Sequence, residues 1–146
     1  MGIGSCVGGQ RFRGEKDAMT ECTRNDPDSA MTWVQHHRES EDLASAAEMS
    51  LRLGNREKAR DLYVLSARAE ESALKKLHIS QEKTYGITAV SAAALYFKAG
   101  QLDRAERIAK DSMAFNRLPE FARNQLRDIM NSVADATAQP KQRKCP

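Results

Sequence analysis

The chain has 146 residues, a net charge of +3, 40% hydrophobic residues and 29% charged residues. This length suggests one domain that can bury a core without disulfides or metals. The small net charge does not call for a nucleic-acid partner, because nucleic-acid-binding domains usually carry a strong basic stripe. The longest apolar run, AVSAAALYF at 89–97, is too short to cross a bilayer, so we expect no membrane association.

In chain order, the first element is a leader at 1–28 that is rich in glycine, charged residues and turn-formers, and we expect it to be flexible. A helical-repeat domain is predicted at 29–137, because Ala, Leu, Glu, Lys and Arg are abundant while β-branched and aromatic residues are scarce. A flexible basic tail is predicted at 138–146. The fold class predicted from this pattern is all-α.

Five helices are predicted between the leader and the tail, or six if the first one is interrupted. The first short segment carries Trp33 and either ends near Arg38 or runs straight into the next helix, for which Ser40 is the predicted cap. Gly54 and Gly100 each follow a helix and are expected to close it in the left-handed conformation. Caps and apolar spacing predict these helix limits: 29–38, 41–53, 55–77, 81–99, 102–115, and from 119 onward.

Two segments of the chain resemble each other, LRLGNREKARDL at 51–62 and YFKAGQLDRAER at 96–107. An offset of 46 residues aligns small residues in both, which predicts duplicated helical hairpins. The aligned pairs are Ala46/Ala92, Ala47/Ala93, Gly54/Gly100, Ala59/Ala105 and Ser66/Ser112. We expect the alanines to let the two helices of each hairpin approach closely, and the glycines to make the turns.

This pattern resembles the tetratricopeptide repeat over 40–73 and 86–119. The small eighth residue of that repeat falls on Ala47 and Ala93, and the small twentieth residue on Ala59 and Ala105. The period is 46 residues where the family has about 34, and the surplus lies at 74–85. Divided evenly, the surplus would lengthen two neighbouring helices by about 9 Å each. We therefore expect a compact bundle of unequal, antiparallel hairpins, with an unrelated five-helix bundle as the alternative.

The resemblance implies a non-enzymatic module for protein–protein interaction or self-association, with a protein, a peptide or a second copy of the chain as partner. The groove positions of the family correspond to Glu41, Ala44, Glu48, Leu51 and Arg52 in the first repeat. In the second repeat they correspond to Ile87, Val90, Ala94, Phe97 and Lys98. From these positions the predicted partner-binding residues are Ile87, Val90, Ala94, Phe97, Lys98, Glu48 and Arg52. The family's clamp for a terminal carboxylate is lacking, because its Lys and Asn positions are Ala44, Glu48, Val90 and Ala94 here.

The helix at 81–99 is apolar nearly all round, and such a helix needs cover on two sides. Ala89, Ala92, Ala93 and Tyr96 mark one side, while the groove residues mark the other. The sequence allows three alternatives for what packs on the groove side: a segment of the same chain (the part around Trp33 or the last helix), a second copy of the protein, or a partner peptide. An uncovered patch of this kind would favour aggregation.

No nucleophile with a base at a recognisable spacing is present, so no catalytic residue and no cofactor are predicted. Glu70 and Glu71 are interpreted as surface charges. His36 and His37 are adjacent, so they point about 100° apart on a helix and are interpreted as surface polar residues rather than metal ligands. The alternative function is a nucleic-acid-associated accessory protein that uses its basic ends. These carry Arg11, Arg13, Lys16, Lys141, Arg143 and Lys144.

Three cysteines, Cys6, Cys22 and Cys145, lie in the leader and the tail. Their number is odd and no CxxC spacing occurs, which argues against a disulfide framework and against a zinc site. This pattern favours a reducing compartment, and we expect a cytoplasmic protein with no bound metal.

Overall fold

The computed structural model describes residues 31–78 and 80–139. Packing divides the chain after Met31, and the unit that begins at Thr32 holds five α-helices and no strand among the described residues. The helices are α1 (Trp33–Arg52), α2 (Arg56–Lys76), α3 (Glu82–Lys98), α4 (Leu102–Met113) and α5 (Glu120–Ala138). The predicted all-α class is confirmed. The predicted leader at 1–28 and the tail beyond Gln139 lie outside the described residues.

Helix α1 is one continuous helix, which corrects the prediction of a cap at Ser40. Its cap is Thr32, whose hydroxyl accepts a hydrogen bond from the Gln35 N–H while the Gln35 side chain accepts one from the Thr32 N–H. This reciprocal pair satisfies two backbone donors that the first turn leaves free. Ser40 lies well inside the helix and is buried against α2.

The two predicted glycine turns have the same geometry. Gly54 and Gly100 have φ values of +83° and +81°, in the left-handed region that glycine adopts without steric cost. The N–H of the residue after each glycine donates to a carbonyl five residues earlier, at 2.8 Å for Asn55 to Ser50 and 2.9 Å for Gln101 to Tyr96. These bonds close α1 and α3 in the Schellman arrangement.

The connection between α2 and α3 is longer than predicted. We expected 74–85 to be divided between the two helices, but α2 ends at Lys76 and α3 begins at Glu82. Leu77 leaves the helix in an extended conformation, with ψ at 140°. The Gln81 side chain then accepts a hydrogen bond from the His78 N–H, and the Ser80 hydroxyl bonds the His78 ring. Local side-chain bonds therefore interrupt a segment that has no glycine or proline.

Helix α3 is the central helix of the unit. The extensive interfaces among the described helices are α1–α2, α2–α3, α3–α4, α4–α5 and α3–α5. Gly86 lets α5 approach α3 closely, since a Cβ at that position would lie 2.9 Å from the Ala122 Cβ. Two guanidinium nitrogens of Arg123 donate to the Met113 and Phe115 carbonyls, at 3.1 and 3.2 Å, which fixes the start of α5 to the end of α4. The last helix thus covers one side of α3.

Small side chains dominate the core. Ala47, Ala93, Ala59 and Ala105, the aligned alanines of the two hairpins, have 1% or less of their surface exposed. Ala46 is the exception among these pairs, because it faces solvent while its counterpart Ala92 is buried. Burial of the four aligned alanines confirms the predicted close approach of the helices. Across the described ranges, no helix combines the length and the apolar character required to span a membrane.

Candidate functional site

A cleft of about 260 Å³ opens between α1 and α3, over the middle of α2. We call it the α1–α3 cleft. It forms because α1 and α3 both pack on α2 and share no extensive interface with each other in the described part of the chain. Its lining residues are His37, Ser40, Glu41, Ala44, Glu70, Ser91, Ala94, Leu95 and Lys98.

Two serines hold α1 against α2 at the base of the cleft. The Ser66 hydroxyl donates to the Ser40 carbonyl oxygen at 2.7 Å, and the two hydroxyl oxygens lie 3.0 Å apart. Both side chains are buried, so an unsatisfied hydroxyl there would cost about 1–3 kcal/mol. This pairing requires short side chains, and it keeps the helices close enough for Ala47 to pack in one cluster with Tyr63 of α2.

The floor of the cleft carries a buried carboxylate, Glu70 on α2, with 1% of its surface exposed. The His37 Nδ1 lies 3.0 Å from each of its two oxygens, a position from which it can donate to the ionised carboxylate. The other ring nitrogen of His37 lies 3.8 Å from Glu41, one turn later on α1. Burial raises the pKa of Glu70 above its ordinary value, while the bonds and charge from His37 and the bond from Ser40 act in the opposite direction.

The interpretation of His36 and Glu70 as surface residues is wrong. His36 is 2% exposed, and Glu70 lies among the buried residues of α2. The sequence did contain a signal for Glu70, because it follows Tyr63 and Ser66 and precedes Ala73 at spacings of three and four residues. A carboxylate within an otherwise apolar helical stripe indicates a buried partner, and that partner is His37 on the preceding helix.

The predicted partner-binding residues separate into three groups in the structure. Ala94 and Lys98 line the α1–α3 cleft, together with the groove positions Glu41 and Ala44. Val90 and Phe97 are partly buried against the main core. The remaining three, Ile87, Glu48 and Arg52, are exposed and do not line the cleft.

A second polar network joins α2, α3 and α4 and has a structural role. The Tyr96 hydroxyl donates to Glu71 at 2.6 Å and accepts from Arg104 at 3.2 Å. Burial and the neighbouring Glu71 raise the pKa of Tyr96 to about 12, so the phenol stays protonated and keeps both bonds. These bonds satisfy the hydroxyl of the buried Tyr96, so no ligand is needed to explain its burial.

Two of the polar groups that line the cleft are engaged in hydrogen bonds with neighbouring side chains. The Ser40 hydroxyl bonds Ser66, and the His37 ring bonds Glu70. Among residues 31–78 and 80–139, no group of three or more His, Cys, Asp or Glu side chains is placed to hold a metal ion. The basic ends that the nucleic-acid alternative needs lie outside these residues. Comparison with protein-family models, curated proteins and solved structures finds no match for the chain.

Proposed function

We propose that the protein is a non-enzymatic interaction module whose α1–α3 cleft receives a segment of a partner protein. The observation that carries this proposal is the open cleft between the first helices of two similar hairpins. Its walls carry the short side chains Ala44, Ser91 and Ala94, which leave room for the side chains of another chain. The cleft is also the place where the tetratricopeptide resemblance expects a groove.

The size and polarity of the cleft favour a peptide over a small-molecule cofactor. Its volume of about 260 Å³ lies below the range of about 300–1,000 Å³ that is usual for small-molecule pockets. It has room for one or two side chains, and its lining includes Glu41 and Lys98, which can pair with polar groups of a peptide. In this proposal the hairpins are tetratricopeptide-like, the setting is the reducing cytoplasm, and a peptide occupies the cleft rather than a second copy of the chain.

Selection from a displayed peptide library tests the proposal, with two matched variants on α1. Ala44→Glu places a long charged side chain in the cleft, whereas Ala46→Glu places it on the solvent side of the same helix. We expect peptides with a shared motif that bind the wild type and Ala46→Glu equally, and that bind Ala44→Glu at least about tenfold more weakly, a difference of about 1.4 kcal/mol.

Circular dichroism and light scattering on the same samples separate this outcome from unfolding and from self-association. Both variants should keep the wild-type helical signal, and the wild type should be a monomer. Equal binding by Ala44→Glu and Ala46→Glu would refute the cleft as the binding site. A wild-type dimer that Ala44→Glu dissociates would show instead that a second copy of the chain occupies the cleft.

A further inference from the structure

A second cavity, of about 340 Å³, opens beside the first turns of α2 and the end of α3. We call it the basic cavity. Its lining residues are Leu51, Arg56, Ala59, Arg60, Tyr63 and Lys98. Three of these six side chains are cations and none is an acid. Only Lys98 is shared with the α1–α3 cleft, so the inference does not rest on the function proposed for that cleft.

The three cations of the basic cavity have no acidic partner in the described part of the chain. Elsewhere in the same ranges, four basic side chains pair with carboxylates: Lys75, Arg104, Lys110 and Arg117. Arg56, Arg60 and Lys98 form no such pair there. Like charges in one cavity repel each other, and an anion from outside the chain would relieve that repulsion.

Local structure directs these side chains toward the cavity. Arg56 and Arg60 are one turn apart on α2, and Arg56 is its first residue, where the helix dipole adds positive potential. The Arg60 side chain passes the α3–α4 turn, since a Cβ on Gly100 would lie 3.8 Å from its Nε. The Lys98 ammonium lies 5.6 Å from the centre of the Tyr63 ring. Two hairpin turns therefore bring the three cations together.

Glu48 on α1 is an acid that influences this region, although it does not line the cavity. Burial raises the pKa of the Tyr63 phenol, and the charge of Glu48 raises it further, so Glu48 acts on the same region. The lining of the cavity itself holds three cations and no carboxylate. Two guanidinium groups offer paired N–H donors to planar sets of oxygens, and an ammonium adds a third contact.

We propose that the basic cavity binds the dianion of a phosphate monoester. Three convergent cations match two negative charges and three terminal oxygens better than they match a carboxylate, which has one charge and two oxygens. A phosphodiester, with a single charge per phosphate, is also a poorer match. The ligand class is thus a phosphorylated side chain or small molecule, and its terminal phosphate enters the cavity between Arg56, Arg60 and Lys98.

Nuclear magnetic resonance titration of the full chain tests this site, with inorganic phosphate, phosphoserine, acetate and a short oligonucleotide as separate probes at constant ionic strength. We expect both phosphate probes to shift the amide signals around Arg56–Arg60 and Lys98. Acetate should bind at least about tenfold more weakly than these probes, and so should the oligonucleotide when its affinity is expressed per phosphate. Binding of phosphoserine should be stronger at about pH 7.5 than at about pH 5, because its second pKa is about 6.

The variant Arg60→Gln removes one cation of the cavity and keeps a long polar side chain, and Arg107→Gln is the matched control on an exposed part of α4. We expect Arg60→Gln to weaken phosphoserine binding by about tenfold and Arg107→Gln to leave it unchanged. Lys98→Gln should weaken phosphoserine binding to a similar extent, which would show that the loss is not a local effect of the Arg60 substitution. Equal losses in Arg60→Gln and Arg107→Gln, or binding of acetate or the oligonucleotide as tight as that of phosphoserine, would overturn the proposal.

Discussion

Glu70 shows how a single buried charge depends on its surroundings. The carboxylate lies at the floor of the α1–α3 cleft, where burial disfavours its ionised form while hydrogen bonds from His37 and Ser40 favour it. The pKa of Glu70 is therefore higher in the folded chain than in the unfolded chain. Between those two pKa values the folded state binds more protons, so the contribution of Glu70 to the free energy of unfolding falls as pH rises.

The variant Glu70→Gln should change the pH dependence of stability in a defined direction. Gln keeps the shape and an acceptor oxygen but does not ionise. Relative to the wild type, Glu70→Gln should gain stability as pH rises from about 4.5 through the raised pKa of Glu70, and the difference should then become constant. Urea unfolding across this pH range measures the difference.

The control is Glu57→Gln, which removes one exposed carboxylate from the first turn of α2, the helix that also carries Glu70. The assignment of Glu70 as a buried acid fails if Glu70→Gln and Glu57→Gln follow the same course with pH, or if Glu70→Gln loses stability relative to the wild type as pH rises.

The hairpins are organised by alanine and glycine rather than by large apolar residues. Ala47 and Ala93 occupy equivalent places on α1 and α3 and are fully buried. Each helix then ends in the same left-handed glycine turn, with the same two backbone hydrogen bonds. Because close approach of helices leaves no space at these positions, added volume there must displace a neighbouring helix.

Two neighbouring alanines of α1 allow this packing argument to be tested. Ala47→Leu inserts three extra carbons into a filled interface and should lower the free energy of unfolding by about 1–3 kcal/mol. Ala46→Leu makes the same change on the exposed side and should alter it by no more than about 0.5 kcal/mol. Chemical denaturation of both variants measures the two values. Equal effects of the two substitutions would show that α1 does not pack through Ala47.

Taken as one unit, the five helices differ in how many neighbours support them. Among the described helices, α3 packs on α2, α4 and α5, whereas the extensive contacts of α1 are with α2 alone. Helix α1 buries His36, Ser40, Ala47 and Ser50, which are mostly polar, and α3 buries a nearly continuous set of small residues and Tyr96. Local opening is expected where fewer buried contacts must be broken.

Hydrogen exchange measured by mass spectrometry should therefore find the slowest amides in α3 and faster exchange along α1. We expect the α1 amides to exchange through local opening at a free energy below that of global unfolding, and the α3 amides to exchange only through global unfolding. Mild denaturant should accelerate exchange in α3 more steeply than in α1. Equal protection of the two helices would indicate that α1 has support beyond its interface with α2.

The sequence predicted the helices and their turns well because those features depend on neighbouring residues. Helix periodicity, the start of a helix at about residue 55 and the two glycine turns each involve groups within about six positions along the chain. The errors were also local in origin. Ser40 has a cap-forming side chain but lies within a helix that is capped by Thr32 and begins at Trp33. The break between α2 and α3 has no glycine or proline, and both side-chain and backbone hydrogen bonds join His78 to Gln81 there.

By itself, then, the sequence determined the all-α class of the described residues and the glycine turns after α1 and α3, since both follow from the spacing of small and apolar residues and from the two glycines. Only the tertiary structure decided that Glu70 faces His37, that α5 covers α3, and that three cations surround one cavity. Each of these depends on side chains from different helices, and their meeting is set by how the helices pack. Periodicity states which face of a helix is buried, but it does not state which residue of another helix lies opposite.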